Sequence, residues 1–455
     1  MTARDQPVDD LSDFADLMTH EQEFVGDPID PGVRRRRRRR GLIVTAVCLV
    51  LVLAVTGGYI AWALTAPVGA TEVSTRFPPV PVSDAVAPVT STAAASAISI
   101  AGADAYLGET ASGTWAATGT GEPLPIASIT KLITALVILE KVPLADAYDP
   151  GPTITFDKAD HDLYDAYYVQ GATIAPMPTG TSMSLHDALA VMLVPSASNY
   201  AEALSSRIFG SQGAFLGATR DWLATHGLTG TTVTEPTGIS PSNTSTPADL
   251  LAIAKIAAAH PVIARIVAKP SVSVPGGGQL VNTNALLGTA GITGLKTGNL
   301  GEGRHNLLYT ATLDVGAVDP LEVTGVILGE LSRASLNAAV IAALDGIRSG
   351  FHDVFVAEEG QEVGSLSTPW GSTATLVLGE GASILTWSDT PIEMTTDIGR
   401  PVTYRDGEVV GTITWTAGPN TVTAPVVIKG RIDPPTEWWR LTHPFELGSS
   451  TDAGE

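Results

Sequence analysis

Pro125-Ile126-Ala127-Ser128-Ile129-Thr130-Lys131-Leu132-Ile133-Thr134-Ala135-Leu136 is the stretch that decides the fold of this 455-residue chain. Leucines recur at helical spacing after Lys131, which predicts a buried helix. Positions i and i+3 share one helix face, so the Ser128 hydroxyl and the Lys131 amine are expected within hydrogen-bonding reach. A lysine can take the proton of a serine when burial or a nearby cation lowers the lysine pKa. The stretch therefore predicts a nucleophilic serine with a lysine base.

The Ser-x-x-Lys pattern also has an ordinary interpretation, as a serine at a helix start followed by a lysine that reaches solvent. Two other stretches weigh against it. Lys296-Thr297-Gly298 occurs once in the chain, and Ser196-Ala197-Ser198-Asn199 follows Pro195 between two predicted helices. Alone, the first fits a surface turn and the second fits a helix N-cap. Only the three stretches together favour an active site.

The charge of the chain is strongly acidic and unevenly distributed. The net charge is −21, and residues 65–455 hold 18 basic and 38 acidic groups. An acidic exterior argues against binding to nucleic acid or to anionic lipid through this part. The single cysteine, Cys48, lies in an apolar run, so the rest of the chain is expected to have no disulfide and no thiol nucleophile.

The apolar run at residues 41–64 is long enough to cross a bilayer. From Leu42 to Leu64 it spans roughly 34 Å as a helix, against about 30 Å of hydrocarbon. The arginines at 34–40 precede it, and positive residues stay on the cytoplasmic side of a membrane. We expect an uncleaved single-pass anchor with the C-terminal part outside. The alternative is a signal peptide cleaved near Val68-Gly69-Ala70.

Sequence patterns also predict the main secondary structure. Ser184 is expected to cap a helix beginning at Leu185, and Thr246 to cap a helix beginning at Pro247. Short strands are expected near 97–101 and 113–117, and longer ones at 306–313 and 321–328. After residue 351 the sequence is typical of an all-β region. It predicts strands at 373–378, 383–387, 401–404 and 408–415, and a hairpin turn at Asp406-Gly407. These elements predict an α+β fold with a mainly antiparallel sheet.

The order and spacing of the three stretches resemble those of the D-alanyl-D-alanine carboxypeptidases, the low-molecular-mass penicillin-binding proteins related to class A β-lactamases. The resemblance covers about residues 95–350 and includes the run Ala127-Ser128-Ile129-Thr130-Lys131-Leu132 and the loop around Thr237-Gly238. It implies a β-lactamase/transpeptidase-like domain, and a small all-β domain behind it is a common companion in this family. Together with the one transmembrane helix and the flanking segments expected from composition, the predicted organisation is a disordered cytoplasmic tail at 1–40, an anchor at 41–64, a linker at 65–95, a catalytic domain at 96–350, a β-rich domain at 351–445 and a tail at 446–455.

The resemblance also implies a role for each candidate residue. Ser128 would attack the carbonyl between two D-alanines, and Lys131 would take its proton. Ser196 would relay a proton to the leaving amine. Lys296, Thr297 and Gly298 would form one wall of the substrate site, with Thr297 binding the terminal carboxylate and Lys296 setting the local electrostatics. A charged Lys296 would disfavour charge on Lys131. The backbone N–H groups of Ser128 and Asn299 would form the oxyanion hole.

The second stretch departs from the family pattern, which is Ser-x-Asn. Here the third position is Ser198, and the asparagine, Asn199, comes one residue later. Either Asn199 reaches the substrate from a shifted turn, or Ser198 does a reduced version of its work, or the activity is weak. Arg333 lies in the right region to bind substrate, but no motif fixes it there.

These features lead to one main functional hypothesis and two alternatives. The main one is a membrane-anchored serine carboxypeptidase of the cell membrane that acts outside the cytoplasm on peptidoglycan stem peptides ending in D-Ala-D-Ala and is covalently inhibited by β-lactams. The first alternative is a catalytically weak or inactive wall-binding scaffold on the same fold. The second is a β-lactamase or esterase, although no clear deacylating glutamate motif occurs between Ser196 and Lys296. We expect no metal and no cofactor, because the histidines lack ligand-like spacing and no glycine-rich phosphate loop precedes a helix.

Overall fold

The computed structural model describes residues 31–87, 91, 93–301 and 303–448. The disorder predicted for the tail before residue 31 therefore lies outside the described residues, as does most of the predicted tail after 446. The chain divides into two compact units. The larger comprises Arg76–Val363 and Leu376–Lys429, and the smaller comprises Met1–Thr75, Gly364–Thr375 and Gly430–Glu455.

The helices follow the predicted order along the chain. They are α1 (Pro31–Thr65), α2 (Asp104–Leu107), α3 (Thr130–Lys141), α4 (Lys158–Val169), α5 (Leu185–Leu193), α6 (Ser198–Phe209), α7 (Gln212–Thr225), α8 (Pro247–Ala259), α9 (Pro261–Val267), α10 (Arg333–Gly350) and α11 (Glu437–Thr442). Short 3₁₀ turns at Ala127–Ile129 and Pro444–Glu446 complete the helical structure in the described part of the chain.

The strands are short before residue 290 and longer after it. They are β1 (Glu72–Thr75), β2 (Ala95–Ala101), β3 (Ala116–Thr118), β4 (Leu124–Pro125), β5 (Thr153–Thr155), β6 (Ser182–Ser184), β7 (Thr244–Ser245), β8 (Ser271–Val274), β9 (Gly278–Val281), β10 (Ile292–Asn299), β11 (His305–Leu313), β12 (Leu321–Glu330), β13 (Phe351–Ala357), β14 (Glu362–Ser367), β15 (Thr373–Leu378), β16 (Ala382–Trp387), β17 (Glu393–Ile398), β18 (Val409–Ala417) and β19 (Asn420–Lys429).

A five-stranded antiparallel sheet organises the larger unit, in the order β10-β11-β12-β2-β3. Alternate residues of its strands enter two hydrophobic cores, as the period of a strand requires. On β11, for example, Leu308 packs with α3, α5, α6 and α8, whereas Leu307 and Tyr309 pack with α10. Helices thus cover both faces of the sheet, and the predicted α+β class is confirmed.

Capping residues fix where several helices begin. The Ser184 hydroxyl accepts a hydrogen bond from the Asp187 backbone N–H at 3.0 Å, and Thr246 caps α8 in the same way through Asp249 at 3.1 Å. Each bond satisfies one of the N–H groups that the first turn of a helix leaves without a partner. Both predicted caps are confirmed, so the short polar motifs correctly locate these helix starts.

The β-rich segment after Phe351 differs in detail from its prediction. Strands β13 and β16 pair with each other, and β17, β18 and β19 form consecutive antiparallel pairs. Residues 401–404 form no strand, so the hairpin predicted at Asp406-Gly407 is wrong. The Glu408 carboxylate instead accepts hydrogen bonds from the backbone N–H groups of Val402 and Thr403, which folds this segment into a loop. The tight connection lies further on, at residues 418–419 between β18 and β19.

Helix α1 in the smaller unit contains the apolar run recognised in the sequence. Its residues Arg35–Thr65 are long and apolar enough to cross a membrane. The apolar side chains from Leu42 to Val55 are exposed along it. In the same unit, β1 pairs antiparallel with β14.

Candidate active site

Ser128 lies in the 3₁₀ turn Ala127–Ile129, directly before α3. Ala127, the residue before it, has a φ of 52°, in the left-handed region that residues with a Cβ atom seldom adopt. Such strained positions persist only where the surrounding structure holds them, and they are common at functional sites. The half-buried Ser128 side chain is thus fixed at the mouth of a cleft.

Two glycines permit this turn to be enclosed on both sides. A Cβ atom at Gly298 would lie 2.6 Å from the Ile126 carbonyl oxygen, and one at Gly238 would overlap the Ala127 carbonyl. Gly238 also has a φ of 83°. Strand β10 and the loop at 234–240 can therefore approach the Ser128 turn only because these two positions have no side chain.

Lys131 is fully buried on the first turn of α3, one helical step from the serine. Its Nζ atom lies 3.0 Å from Ser128 Oγ and donates a hydrogen bond to the Thr237 carbonyl at 2.6 Å. Burial lowers the pKa of Lys131 to about 7, and the negative charge of Glu235 acts in the opposite direction. A lysine with this pKa is partly neutral at physiological pH and can accept the Ser128 proton.

The Glu235 carboxylate organises the loop that presents the Thr237 carbonyl to Lys131. One of its oxygens accepts hydrogen bonds from the backbone N–H and the hydroxyl of Thr237, both at 2.6 Å. The other accepts from the N–H groups of Gly238 at 2.6 Å and Ser240 at 3.2 Å, and from the Asn243 amide at 2.8 Å. A single carboxylate thus fixes the loop and also raises the pKa of Lys131.

Ser196 and Ser198 both line the cleft that contains Ser128. Ser196 has a φ of 70°, is 3 % exposed, and its hydroxyl has no hydrogen-bond partner among the described residues. A buried hydroxyl without a partner costs free energy unless it serves a ligand or a proton. Its position therefore suits the predicted transfer of a proton across the cleft.

Asn199 has a different environment from its two serine neighbours. Its amide donates to the Ala175 carbonyl at 2.8 Å and accepts from the Ala175 backbone N–H at 3.1 Å. Both polar atoms of the side chain are thus used by the backbone at residue 175. The predicted contact of Asn199 with substrate gains no support from this geometry, and Ser198 is the residue of the pair that lines the cleft.

Lys296-Thr297-Gly298 forms part of strand β10, and the alternative of a surface turn is wrong. Lys296 is buried, and its amine donates one hydrogen bond, to the Thr297 carbonyl at 3.2 Å. Burial lowers the pKa of Lys296 well below its usual value, and the neighbouring charges of Lys131 and Arg333 lower it further. Of the two causes that the sequence offered for a lowered pKa of Lys131, burial and the charge of Lys296, burial is the one that the structure supports.

The remaining residues complete a cleft of about 160 Å³. Thr297 and Asn299 line it from β10, and Thr297 donates a hydrogen bond to the Thr283 hydroxyl at 2.7 Å. Arg333, the first residue of α10, lines it from another side. The cleft therefore combines hydroxyl groups with one guanidinium, a composition suited to a ligand with a carboxylate.

The structure thus places most of the predicted residues around one cleft. Ser128, Ser196, Thr297 and Asn299 line it, Lys131 lies behind Ser128, and Gly298 packs against Ala127. Motif reasoning missed Thr173 and Thr283, which line the same cleft, and it offered Ser198 only as one of several alternatives. It named Arg333 without fixing its position. Thr173 and Thr283 belong to loops without a motif, so the sequence carries no signal for them.

Comparison with known proteins agrees with this geometry. The sequence model described as "D-alanyl-D-alanine carboxypeptidase" matches residues 90–328, more than half of the chain. The chain is 28 % identical over 204 residues to a D-alanyl-D-alanine endopeptidase of Pseudomonas aeruginosa, a match that covers 43 % of this chain and 62 % of that protein. It is 30 % identical over 234 residues to the enzyme of the same name from Haemophilus influenzae, covering 49 % of this chain and 76 % of that protein.

Solved structures show the same fold. Penicillin-binding protein 5 from Haemophilus influenzae aligns with a TM-score of 0.50 at 18 % identity, over 77 % of this chain and all of that one. The D-alanyl-D-alanine carboxypeptidase DacD from Francisella tularensis aligns with a TM-score of 0.51 at 16 % identity, over 78 % of this chain and 97 % of that one. Because this sequence model matches more than half of the chain, in a region that includes all three motifs, the chain belongs to the D-alanyl-D-alanine carboxypeptidase family.

Proposed function

We propose that this protein is a membrane-anchored serine-type D-Ala-D-Ala carboxypeptidase that acts on peptidoglycan stem peptides outside the cytoplasm. The observation that carries the proposal is the 3.0 Å separation of Ser128 Oγ and Lys131 Nζ, in a cleft lined by Ser196, Thr297 and Arg333. A buried lysine with a pKa of about 7 is a suitable base for a serine nucleophile.

The proposed reaction begins with neutral Lys131. Its amine takes the proton of Ser128 Oγ as the oxygen attacks the carbonyl carbon between the two D-alanines. The backbone N–H groups of Ser128 and Asn299 stabilise the negative charge on the carbonyl oxygen. The Ser196 hydroxyl passes a proton to the amine of the terminal D-alanine, which leaves. Water then attacks the resulting ester of Ser128, and the shortened peptide departs with a new carboxylate.

A carboxypeptidase differs from an endopeptidase in whether the group after the cleaved bond ends in a free carboxylate. The cleft presents the Thr297 hydroxyl and the Arg333 guanidinium, which together suit such a carboxylate. The curated relatives are named endopeptidases. Purified full-length protein should therefore be given a stem pentapeptide and a cross-linked muropeptide dimer in parallel. Faster D-alanine release from the pentapeptide supports the proposal, and faster cleavage of the dimer contradicts it.

Covalent labelling tests the nucleophile directly. A fluorescent penicillin should form an ester with Ser128, because its β-lactam amide opens without losing a leaving group. Ser128→Ala should abolish the label. Ser349→Ala, which removes an exposed serine of α10, should label like the wild type. Labelling that survives in Ser128→Ala would place the nucleophile elsewhere.

Helix α1 supports the membrane part of the proposal. It begins with a run of arginines and is apolar from Leu42 onward, an order that favours a cytoplasmic N-terminus. Full-length protein should remain in the membrane fraction after alkaline extraction. Release of a species that lacks the first 70 residues or so would instead favour a cleaved signal peptide.

A second candidate is a scaffold that binds wall peptides with little turnover, favoured by the environment of Asn199. Its side chain is committed to Ala175, so the cleft lacks the amide that the family motif supplies. The scaffold predicts penicillin labelling without D-alanine release. Ser198→Asn separates the two, because an amide at the cleft should raise D-alanine release by roughly fivefold, the value of about one hydrogen bond. An unchanged, near-zero rate in both forms would favour the scaffold.

A further inference from the structure

The C-terminal segment of the chain is attached to the C-terminal end of α1, within the smaller unit. Ala63 and Ala66 of α1 form a buried cluster with Leu447. Tyr59, Val68, Trp439 and Leu441 pack against that cluster. Helix α11 thus lies beside the last turns of a helix that is otherwise exposed along its apolar length.

Polar contacts fix the same attachment. The Tyr59 hydroxyl donates to the Leu441 carbonyl at 2.7 Å. The Arg440 guanidinium donates to the carbonyls of Ala66 at 2.8 Å and Ala63 at 3.4 Å. The last carbonyls of a helix have no partner within it, and a cation at that end also interacts favourably with the helix dipole. Arg440 therefore caps α1 and fixes α11 to it.

Large aromatic side chains remain exposed around this attachment. Trp438 is 74 % exposed, Phe445 is 97 % exposed and Trp62 is 45 % exposed. We call these three residues the aromatic collar. In the same unit, the Trp439 and Trp370 ring centroids lie 5.9 Å apart, and the Trp370 indole donates to the Asp433 carbonyl at 2.7 Å. Exposed aromatics on segments that pack together indicate an interaction surface.

The position of the collar along α1 identifies the partner. From Leu42 to Trp62 the helix rises about 30 Å, the thickness of a bilayer hydrocarbon core. When the arginines up to Arg40 lie at one membrane surface, the collar lies at the other. Tryptophan and tyrosine are enriched at that depth because part of each ring system is apolar and part is polar, and phenylalanine adds apolar surface there.

We propose that the aromatic collar, Trp62, Trp438 and Phe445, inserts into the lipid headgroup region where α1 leaves the bilayer. This proposal rests on the membrane anchor proposed above and adds a second contact with the lipid. Residues 436–448 carry Arg440 against Glu437 and Glu446, a net charge of −1 with His443 neutral. Attraction to anionic lipid therefore contributes little, and insertion depends on the burial of aromatic surface.

The test uses full-length protein in nanodiscs. In a Cys48→Ser background, single cysteines replace Trp438 or Phe445 and carry a nitroxide label, so that two of the three collar aromatics remain in each variant. Val318→Cys, in a loop of the larger unit where Val318 is 97 % exposed, is the aqueous reference, and Val52→Cys in α1 is the lipid reference. Accessibility to oxygen and to a water-soluble nickel chelate is measured in phosphatidylcholine, with and without phosphatidylglycerol.

The expected result is that labels at 438 and 445 become several times less accessible to nickel than the label at 318, equally in both lipids. If the labels at 438 and 445 are as accessible to nickel as the label at 318, the proposed insertion of the collar is wrong. A label at 52 that is accessible to oxygen but not to nickel in the same sample would still support the membrane anchor. A label at 52 that is accessible to nickel overturns the anchor itself. Strong spin–spin broadening at 438 would show a second copy covering the collar and would also overturn the proposal.

Arg440→Ala tests whether the attachment to α1 positions the collar. The label at 445 should gain accessibility to nickel, since the contacts of Arg440 with Ala63 and Ala66 are lost. Arg431→Ala is the matched control, because Arg431 forms an exposed ion pair with Asp433 at 2.9 Å and makes no described contact with α1. An unchanged label in Arg440→Ala would overturn the role given to Arg440.

Discussion

The first turn of α3 and strand β10 each hold a buried lysine next to a residue that lines the cleft, but the two lysines have different surroundings. Lys131 has two oxygen neighbours, Ser128 Oγ and the Thr237 carbonyl, and feels the charge of Glu235. Lys296 has one backbone oxygen at 3.2 Å and feels the positive charges of Lys131 and Arg333. Burial lowers both pKa values, and the neighbouring charges then separate them.

This difference assigns different tasks to the two amines. Lys131, with a pKa of about 7, exchanges a proton within the physiological range, as a base must. Burial and the positive charges of Lys131 and Arg333 lower the pKa of Lys296 well below its usual value, and a substrate carboxylate near its amine would act in the opposite direction. The electrostatic role of Lys296 is thus expected to concern the bound substrate rather than the Ser128 proton.

Among the substitutions that test this comparison of the two lysines, removal of the base should have the largest effect on the acylation rate. Lys131→Ala leaves Ser128 without a proton acceptor, and we expect the acylation rate with fluorescent penicillin to fall by about 10²–10⁴-fold, the usual contribution of a general base. The rate of labelling is measured by quenching the reaction at successive times and quantifying the fluorescent protein on a gel. Lys141→Ala, at the exposed end of the same helix, is the control and should keep the wild-type rate. Equal losses in both variants would contradict the assignment.

Removing the second lysine should have a smaller effect. Lys296→Ala leaves the serine and its base in place but removes the second buried amine. We expect kcat/KM for D-alanine release to fall by roughly 10²-fold, in the range of a lost electrostatic contact in an active site. The measurement is D-alanine release from a stem pentapeptide over a range of substrate concentrations. A wild-type kcat/KM in Lys296→Ala would contradict an electrostatic role for this amine.

Changing the charge near Lys131 should move the pH profile of the acylation rate. The neutral form of Lys131 is the active one, so acylation should rise with pH through about 7. Glu235 raises that pKa, and Glu235→Gln should therefore move the rising limb to lower pH. Glu202→Gln is a control, since Glu202 bonds Tyr167 and does not affect the pKa of Lys131. A rising limb that moves to higher pH, or does not move, would contradict the conclusion that Glu235 raises the pKa of Lys131.

The smallest expected effect concerns the contact that joins α3 to the loop. The buried Thr134 hydroxyl donates to the Pro236 carbonyl at 2.8 Å. Thr134→Val should reduce the free energy of unfolding by about 1–3 kcal/mol, because the buried carbonyl loses its partner. Thr225→Val, which removes an exposed hydroxyl of α7, is the matched control. Denaturant unfolding measures both, and equal stability of the two variants would show that this contact is unimportant.

The helical part of the site was predictable because its signals are local. Ser128 and Lys131 are three residues apart on one helical turn, and the Ser184 and Thr246 caps involve residues within one turn of each other. Lys296-Thr297-Gly298 was harder to interpret, because its strand conformation depends on pairing with residues 306–308. That separation in sequence is longer than one helical turn. The motif therefore located the segment but did not predict that it forms a strand.

The orientation of Ser198 and Asn199 could not be predicted in the same way. Consecutive positions at a helix start point about 100° apart, so a shift of one residue decides which side chain enters the cleft. The backbone at Ala175, from a loop without a motif, accepts and donates to Asn199 and settles the choice. The pKa values of the lysines likewise depend on burial by distant segments. In the β-rich region, the hairpin predicted at Asp406-Gly407 does not form, because the Glu408 carboxylate accepts hydrogen bonds from the backbone of the preceding segment.

The close packing of Gly238 and Gly298 around Ala127 limits how this chain can change under antibiotic selection. Even a methyl group at either position would displace the backbone that carries the nucleophile. Substitutions that exclude a β-lactam by added bulk at these two sites would therefore disable the protein as well. Drug tolerance would have to arise from other residues that line the cleft, such as Ile239 and Leu300.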